Sequence, residues 1–324
     1  MSQKVVVFSQ IDANILEKLK AKYHVVSISP KLGDVNEQIR HEVQDADGMI
    51  GSGRLLNKEN LNTAKQLKVI STVSVGFDNY DLAYLNEQKI WLANTPHVLT
   101  ETTADLAFSL MMTAARKVTS LDAWTKQGNW KRTVGSAQFG QDVFGKTLGI
   151  IGLGNIGAAI ARRGFHGFNM NILYHNRQEK IELAQAFNAE YCSLKDLLSR
   201  SDYIVVAVNL NAESQALIGT EEFGLMQKHA VFVNIARGSV VDEQALIDAL
   251  KSQQIFAAGL DVYAKEPLQT SELFNLDNVV TLPHVGSATA ETRFKMADLA
   301  YQNLVNALEG NTPKYLVNPK FNSF

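Results

Sequence analysis

The chain has a single cysteine, Cys192, in 324 residues. A lone thiol cannot form an internal disulfide and supplies at most one thiolate ligand. A disulfide framework and a cysteine-based metal site are therefore both excluded. Ala189, Tyr191 and Leu194 surround it in sequence, the setting of a buried thiol. Basic residues are not in excess: 31 Lys and Arg face 33 Asp and Glu, for a formal net charge of -2. No basic stripe is left over to neutralise phosphates, so nucleic acid is not an expected partner. The charges are mixed rather than blocked, which argues against a disordered tail. Long apolar runs are also missing. The longest, near Leu106 to Ala115, is interrupted by Ser109 and Thr113 and falls well short of the ~20 residues of a membrane span. The start, Met1-Ser2-Gln3-Lys4, passes straight into Val5 to Phe8, too short for a signal-peptide core and without a cleavage site behind it. A soluble, cytoplasmic protein is expected, with no membrane partner. No metal-ligand spacing, nucleophile elbow, low-complexity stretch or short-period repeat occurs, so no metal site is assigned.

What is present is an ordinary globular composition. Hydrophobic residues make up 46% and charged residues 20%, enough apolar material for full cores, and the length corresponds to roughly two domains. Short β-branched runs alternate with helix-length segments. The first group is Val5–Phe8, Val25–Ile28, Met49–Ile50, Val69–Val73 and Ile90–Ala93. The second is Leu148–Ile151, Ile172–Tyr174, Ile204–Val208, Val231–Ile235, Ala257–Val262 and Val279–Leu282. Near-continuous apolar strands imply sheets buried on both faces, and their alternation with helices implies parallel βαβ units. The fold class is α/β with two parallel sheets. A helical pattern from Thr100 to Val118 links the groups, with Thr100 as N-cap and Glu101 and Asp105 at the positive end of the dipole. A further helix, within 288–310, is spaced to return to the first group.

The second group opens Gly152-Leu153-Gly154-Asn155-Ile156-Gly157 between a strand and a helical start at Ala158. That context makes G-x-G-x-x-G a strong dinucleotide signal. Gly152 allows a tight turn, Gly154 lets backbone approach a pyrophosphate, and Gly157 lets helix and strand pack closely. An NAD site would end the next strand with Asp or Glu, to bond the ribose 2′-hydroxyl. Here that strand ends Tyr174-His175-Asn176-Arg177. No carboxylate stands there to repel a 2′-phosphate, and Arg177 can bind one. The sequence favours NADP(H) and leaves NAD(H) admissible.

Open parallel sheets bind ligands beyond the carboxyl ends of their strands. Three ionisable residues follow strands of the second group: Arg237 after Ile235-Ala236, Glu266 shortly after Asp261-Val262, and His284 after Leu282-Pro283. A guanidinium matches a 2-keto acid's carboxylate. A histidine can protonate the alkoxide formed by hydride delivery, and a paired carboxylate fixes its tautomer and stabilises the imidazolium. The set suits reduction of 2-keto acids. Of the other histidines, His24 at a strand start, His41 in a polar helix, and His166 and His229 in connecting segments read as surface or capping groups, while His97 lies in the hinge and is not assigned a role.

These stretches, with Gly259 to Pro267 and Pro283-His284-Val285-Gly286-Ser287-Ala288-Thr289, make the whole chain resemble the D-isomer-specific 2-hydroxyacid dehydrogenases. Within them it is similar to bacterial glyoxylate/hydroxypyruvate and 2-ketogluconate reductases. The resemblance implies that Arg237 binds the substrate carboxylate and carbonyl, that His284 is the acid/base and that Glu266 is its partner. It implies cofactor contacts at Thr103, Gly152, Gly154, Asn155, Ile156, Gly157, His175, Asn176, Arg177, Ile235, Asp261 and Gly286, with Asp261 holding the carboxamide. Ser74-Val75-Gly76-Phe77-Asp78-Asn79 is similar to the family's substrate loop, where amides around Val75 and Gly76 take the carboxylate, and Ser287 is placed near the substrate hydroxyl.

The resemblance further implies a flavodoxin-like substrate domain of residues 1–98 plus 287–324 and a Rossmann cofactor domain of residues 99–286. A homodimer is implied, built on the cofactor domains with the 119–141 arm contributing. Gln138 stands in that arm where some such reductases carry an aromatic residue, which leaves a cross-subunit substrate contact unassigned. Two competing readings are an NAD-dependent phosphonate or other dehydrogenase of the same superfamily, and a non-catalytic dinucleotide-sensing binding protein.

Overall fold

The computed structural model describes residues 2–319. The chain divides into two compact units: one formed by the chain up to Leu99 together with the chain from Ala288 onward, the other running from Thr100 to Ser287.

Among the described residues, the first unit holds five strands: β1 (Lys4–Val7), β2 (His24–Ser27), β3 (Gly48–Gly51), β4 (Val69–Thr72) and β5 (Trp91–Ala93). They are paired in parallel in the order β2-β1-β3-β4-β5. That is the flavodoxin-like winding. β3, β4 and β5 are buried throughout, as expected of strands covered on both faces. One cover is the helix Ala290–Leu308, which packs on β3 and β4. It lies close because β3 begins with glycine: a Cβ at Gly48 would stand 2.8 Å from Leu304 Cδ1. Buried Ser71 of β4 donates its hydroxyl to Ala300 O at 2.8 Å, anchoring the helix to the sheet.

The second unit holds seven strands: β6 (Thr147–Ile151), β7 (Asn171–His175), β8 (Glu190–Tyr191), β9 (Tyr203–Val206), β10 (Val231–Asn234), β11 (Ala257–Leu260) and β12 (Val279–Thr281). Their order, β12-β11-β10-β9-β6-β7-β8, is the doubly wound Rossmann arrangement. The winding reverses at β6, so its carboxyl end, between those of β7 and β9, is the switch point where such sheets take ligands.

Several expectations are corrected. All eleven expected strands form, but β8 makes a twelfth. It is two exposed residues at the sheet's edge, without the apolar run that marks a strand in sequence. The single helix expected over 100–118 is two, Thr100–Ala115 and Val118–Lys126, broken at Lys117 with φ +53°. There the returning chain takes over a helical acceptor: Gln141 N–H bonds Ala115 O at 2.8 Å. Glu101 and Asp105 do more than complement a dipole, since they pair with Arg162 and Arg163 of the helix Asn155–Phe168. His166 lies inside that helix rather than in a connection. Cys192 is only half-buried, though burial still raises its thiol pKa.

Candidate active site

The dinucleotide loop follows β6. Gly152 has φ +104°, and a Cβ there would press on Ala207 O at 2.8 Å, so only glycine turns at that point. At Gly157 a Cβ would stand 2.2 Å from Gly152 O, so the helix can begin against the turn only without a side chain. Gly154 is exposed, with nothing within 4 Å of its would-be Cβ. That open approach fits a pyrophosphate laid against the backbone. The helix Asn155–Phe168 starts at Gly154 with no side-chain cap, which leaves its positive end available to an anion. Asn155 is exposed and Ile156 half-buried at this end.

At the end of β7 the three predicted residues diverge. Half-buried His175 binds its own sheet, Nδ1 lying 3.0 Å from Cys192 O. Asn176 braces the glycine loop, its Oδ1 accepting from Leu153 N–H at 2.6 Å. Arg177 is exposed and pairs with Glu213 at 2.8 Å. Glu213 was not singled out from sequence, because it belongs to the loop after β9.

Arg237, Glu266 and His284 follow β10, β11 and β12, neighbours in the sheet, and end at one edge. His284 Nδ1 lies 2.7 Å from Glu266 Oε2, and the other Glu266 oxygen accepts from Tyr263 N–H at 3.0 Å. Burial works to raise the Glu266 pKa. The hydrogen bond to His284, the Tyr263 amide and the charges of His284 and Arg237 outweigh it and hold the carboxyl below its ordinary value. Glu266 is thus a carboxylate at neutral pH, and Arg237 is close enough for its charge to be felt. The Glu266–Pro267 peptide is cis.

His284 has φ +53°, a left-handed conformation uncommon for non-glycine residues, though His enters it more readily than most. The following backbone is pinned by Asp261, whose two carboxylate oxygens accept from Val285 N–H at 2.7 Å and Gly286 N–H at 2.8 Å. Asp261 is almost fully buried, and burial raises its pKa against the pull of those two amides. Thr103 donates to Gly286 O at 3.1 Å. Thr103 and Asp261 therefore meet at Gly286, one turn of chain from His284. Ile235, two residues before Arg237, is buried, and Ser287 is half-buried after Gly286.

Two positioning residues escaped the sequence reading. Asn234 spans the Arg237 loop: its side chain donates to Arg237 O at 3.0 Å and accepts from Ala236 N–H at 3.0 Å. An amide ending a wholly apolar strand was the available signal. Gly238 sits against the Glu266 loop, where a Cβ would fall 1.8 Å from the Tyr263 carbonyl carbon. Tyr263 in turn donates its hydroxyl to Leu282 O at 2.9 Å, tying that loop to the chain before His284.

In the first unit, the loop after β4 has its carbonyls engaged. Val75 O accepts from Asn94 Nδ2 at 2.8 Å and Gly76 O from Ser74 Oγ at 2.7 Å. Among the described residues no partner takes the Val75 or Gly76 N–H, which suits an anion nest. His97 has φ +71° and lies against Tyr315, with ring centroids 5.7 Å apart. A hollow of about 640 Å³ in the second unit, lined in part by Met112, Arg116, Phe144 and Phe168, is built from none of the predicted site residues. Among the described residues, no group of three or more His, Cys, Asp or Glu could hold a metal ion, and no helix is long and apolar enough to cross a membrane.

Residues 108–286 match the family model described as D-isomer specific 2-hydroxyacid dehydrogenase, NAD binding domain. The chain is 42% identical over 324 residues to glyoxylate/hydroxypyruvate reductase B of Enterobacter sp. (strain 638), covering 100% of both chains. It is 43% identical to the protein of that name from Cronobacter sakazakii over 321 residues, 99% of each. Among solved structures, an NADPH-dependent glyoxylate/hydroxypyruvate reductase from Sinorhizobium meliloti, in complex with NADP and malonate, aligns with a TM-score of 0.86. That alignment has 30% identity and covers 98% of this chain and 97% of that one. With a family model matched over more than half its length, full-length relatives above 40% identity and both parallel sheets in place, the chain is an oxidoreductase that belongs to the D-isomer specific 2-hydroxyacid dehydrogenase family.

Proposed function

We propose that the protein reduces small 2-keto acids (glyoxylate, hydroxypyruvate and 2-ketogluconate) to D-2-hydroxy acids, with NADP(H) preferred and NAD(H) accepted. The observation that carries this reading is the 2.7 Å His284–Glu266 bond on the strand-end edge that also bears Arg237, in the unit that carries the glycine loop. A bound dinucleotide supplies the hydride. Arg237 holds the substrate carboxylate by a two-pronged contact and polarises the carbonyl. With Nδ1 committed to Glu266, His284 has Nε2 for the substrate, where it donates the proton that completes reduction. Ionised Glu266 stabilises the protonated ring and fixes its tautomer. Asp261 and Thr103 shape the chain at Gly286 beside the carboxamide; in the first unit, the Val75 and Gly76 amides form a nest suited to a carboxylate.

Arg177 supports the NADP(H) preference, as a guanidinium beyond β7 where no carboxylate ends the strand. A homodimer is proposed on the cofactor domains. Trp130, Phe139 and Phe144 in and beside the 119–141 arm are 66%, 59% and 69% exposed, apolar side chains that a second chain could cover. A lone cysteine suits a reducing, cytoplasmic setting. The test is kcat/KM on the three keto acids with NADPH and with NADH, with phosphite oxidation as a further arm. Turnover of phosphite in place of all three acids, or turnover of none of them, refutes the proposal. Light scattering of the purified chain tests the dimer.

A further inference from the structure

The strand that should end in an acidic residue in an NAD-binding Rossmann domain, β7, ends in His175 instead. A carboxylate nevertheless reaches that place from elsewhere. Glu213 lies on the loop after β9, on the other side of β6 from β7. Its Oε2 meets Arg177 Nη1 at 2.8 Å. The pair thus spans the carboxyl end of β6, beside the glycine loop.

Both ends of the pair are held by their backbones. Glu213 N–H and Ser214 N–H both donate to Asn211 Oδ1, at 2.9 and 3.0 Å. The buried Ser214 hydroxyl donates to Asn209 O at 2.7 Å and accepts from Asn211 N–H at 2.8 Å. On the other side, Asn176 is tied to Leu153 N–H of the glycine loop, and its carbonyl accepts from Tyr191 OH at 3.0 Å. The two side chains themselves are exposed, 77% for Arg177 and 67% for Glu213. They are free to change partners at little cost, because an exposed ion pair is weak.

We infer that Glu213 is a specificity-determining residue that opposes Arg177: it accepts the ribose 2′-hydroxyl of NAD(H), and a 2′-phosphate must displace it from the guanidinium. The inference rests on the proposed placement of the adenosine ribose beside Arg177. A carboxylate is the group that takes a 2′-hydroxyl in this fold. The same negative charge repels a phosphate dianion and occupies the fork that would bind it. The enzyme therefore carries both recognition groups and accepts both cofactors, with Glu213 narrowing the NADP(H) preference that Arg177 alone would set.

The experiment is calorimetric binding of NADPH, NADH and 2′,5′-ADP to the wild type, Glu213→Gln and Arg177→Ala. Glu213→Gln should tighten NADPH and 2′,5′-ADP and weaken NADH, moving the NADH/NADPH ratio of dissociation constants by about tenfold, the scale of one exposed charge pair plus one ribose hydrogen bond. The gain should shrink in high salt, which screens exposed charges. A ratio that moves less than about threefold, or toward NADH, overturns the inference. Arg177→Ala tests the underlying reading separately: if it leaves NADPH and 2′,5′-ADP unweakened, the phosphate site itself is misplaced, whatever Glu213 does.

Discussion

Gly238→Ala is a small change with a large expected effect. Gly238 directly follows Arg237, and its would-be Cβ lies 1.8 Å from the Tyr263 carbonyl carbon, 2.0 Å from Tyr263 O and 2.3 Å from Ala264 N. All three are backbone atoms, so no side chain can swing aside. Ordinary carbon contacts need about 3.5 Å, so the two loops must part by roughly 1.5 Å. One loop carries Arg237. The other carries Glu266, held by the Tyr263 amide. A displacement near 1 Å between groups that must act on one substrate costs roughly 100-fold in rate. The same shift strains Asn234's two hydrogen bonds across the Arg237 loop. Steady-state kinetics on glyoxylate should therefore show kcat/KM down about 100-fold or more, with cofactor affinity falling far less, because the contacts at the β6 and β7 ends are untouched. Thermal unfolding measured alongside separates a local shift from general unfolding. A folded Gly238→Ala protein within about threefold of wild-type kcat/KM would show that close approach of these loops does not position the catalytic set.

Other expectations are as direct. His284→Asn keeps a residue tolerant of φ +53° while removing the acid; kcat should fall about 10²–10⁴-fold with NADPH still bound, and near-normal turnover would remove His284 from the mechanism. Glu266→Gln removes the charge that stabilises the protonated ring, so kcat for reduction should fall while NADPH still binds; an unchanged kcat would refute the pairing. The depressed Glu266 pKa also contributes stability that is present above the unfolded value of about 4.3 and is lost as pH falls through the lower folded value. The melting-temperature gap between wild type and Glu266→Gln should accordingly close at low pH, and a gap that widens there contradicts the sign. Gly154→Ala meets nothing within 4 Å, so it should leave thermal stability nearly unchanged yet weaken NADPH binding; unaltered affinity would place the pyrophosphate elsewhere.

Much of the molecule is legible in its sequence. Short, β-branched apolar runs such as Val231-Phe232-Val233 read as strands buried on both faces, and their alternation with helices points to a parallel sheet. Gly152, Gly154 and Gly157 announce themselves because the missing side chains are a local requirement of the turn, readable from spacing alone. Arg237, Glu266 and His284 were found because strand ends in such a sheet converge on one edge, so three distant stretches could be brought together by topology.

Tertiary structure decided what depends on a second stretch of chain. β8 forms because β7 offers it an edge, not because Glu190-Tyr191 has strand character of its own. The helix break at Lys117 follows from Gln141 claiming Ala115 O, a contact across 26 positions of chain. Gly238 is one glycine among 21 until Tyr263 is seen against it, and Asn234 is one amide until its loop closes around it. Glu213 belongs to β9 in sequence and to the end of β7 in space. Periodicity and propensity are carried by neighbours along the chain, so they report which elements form. Which carboxylate faces which guanidinium is set by how those elements pack, and no single stretch of sequence contains it.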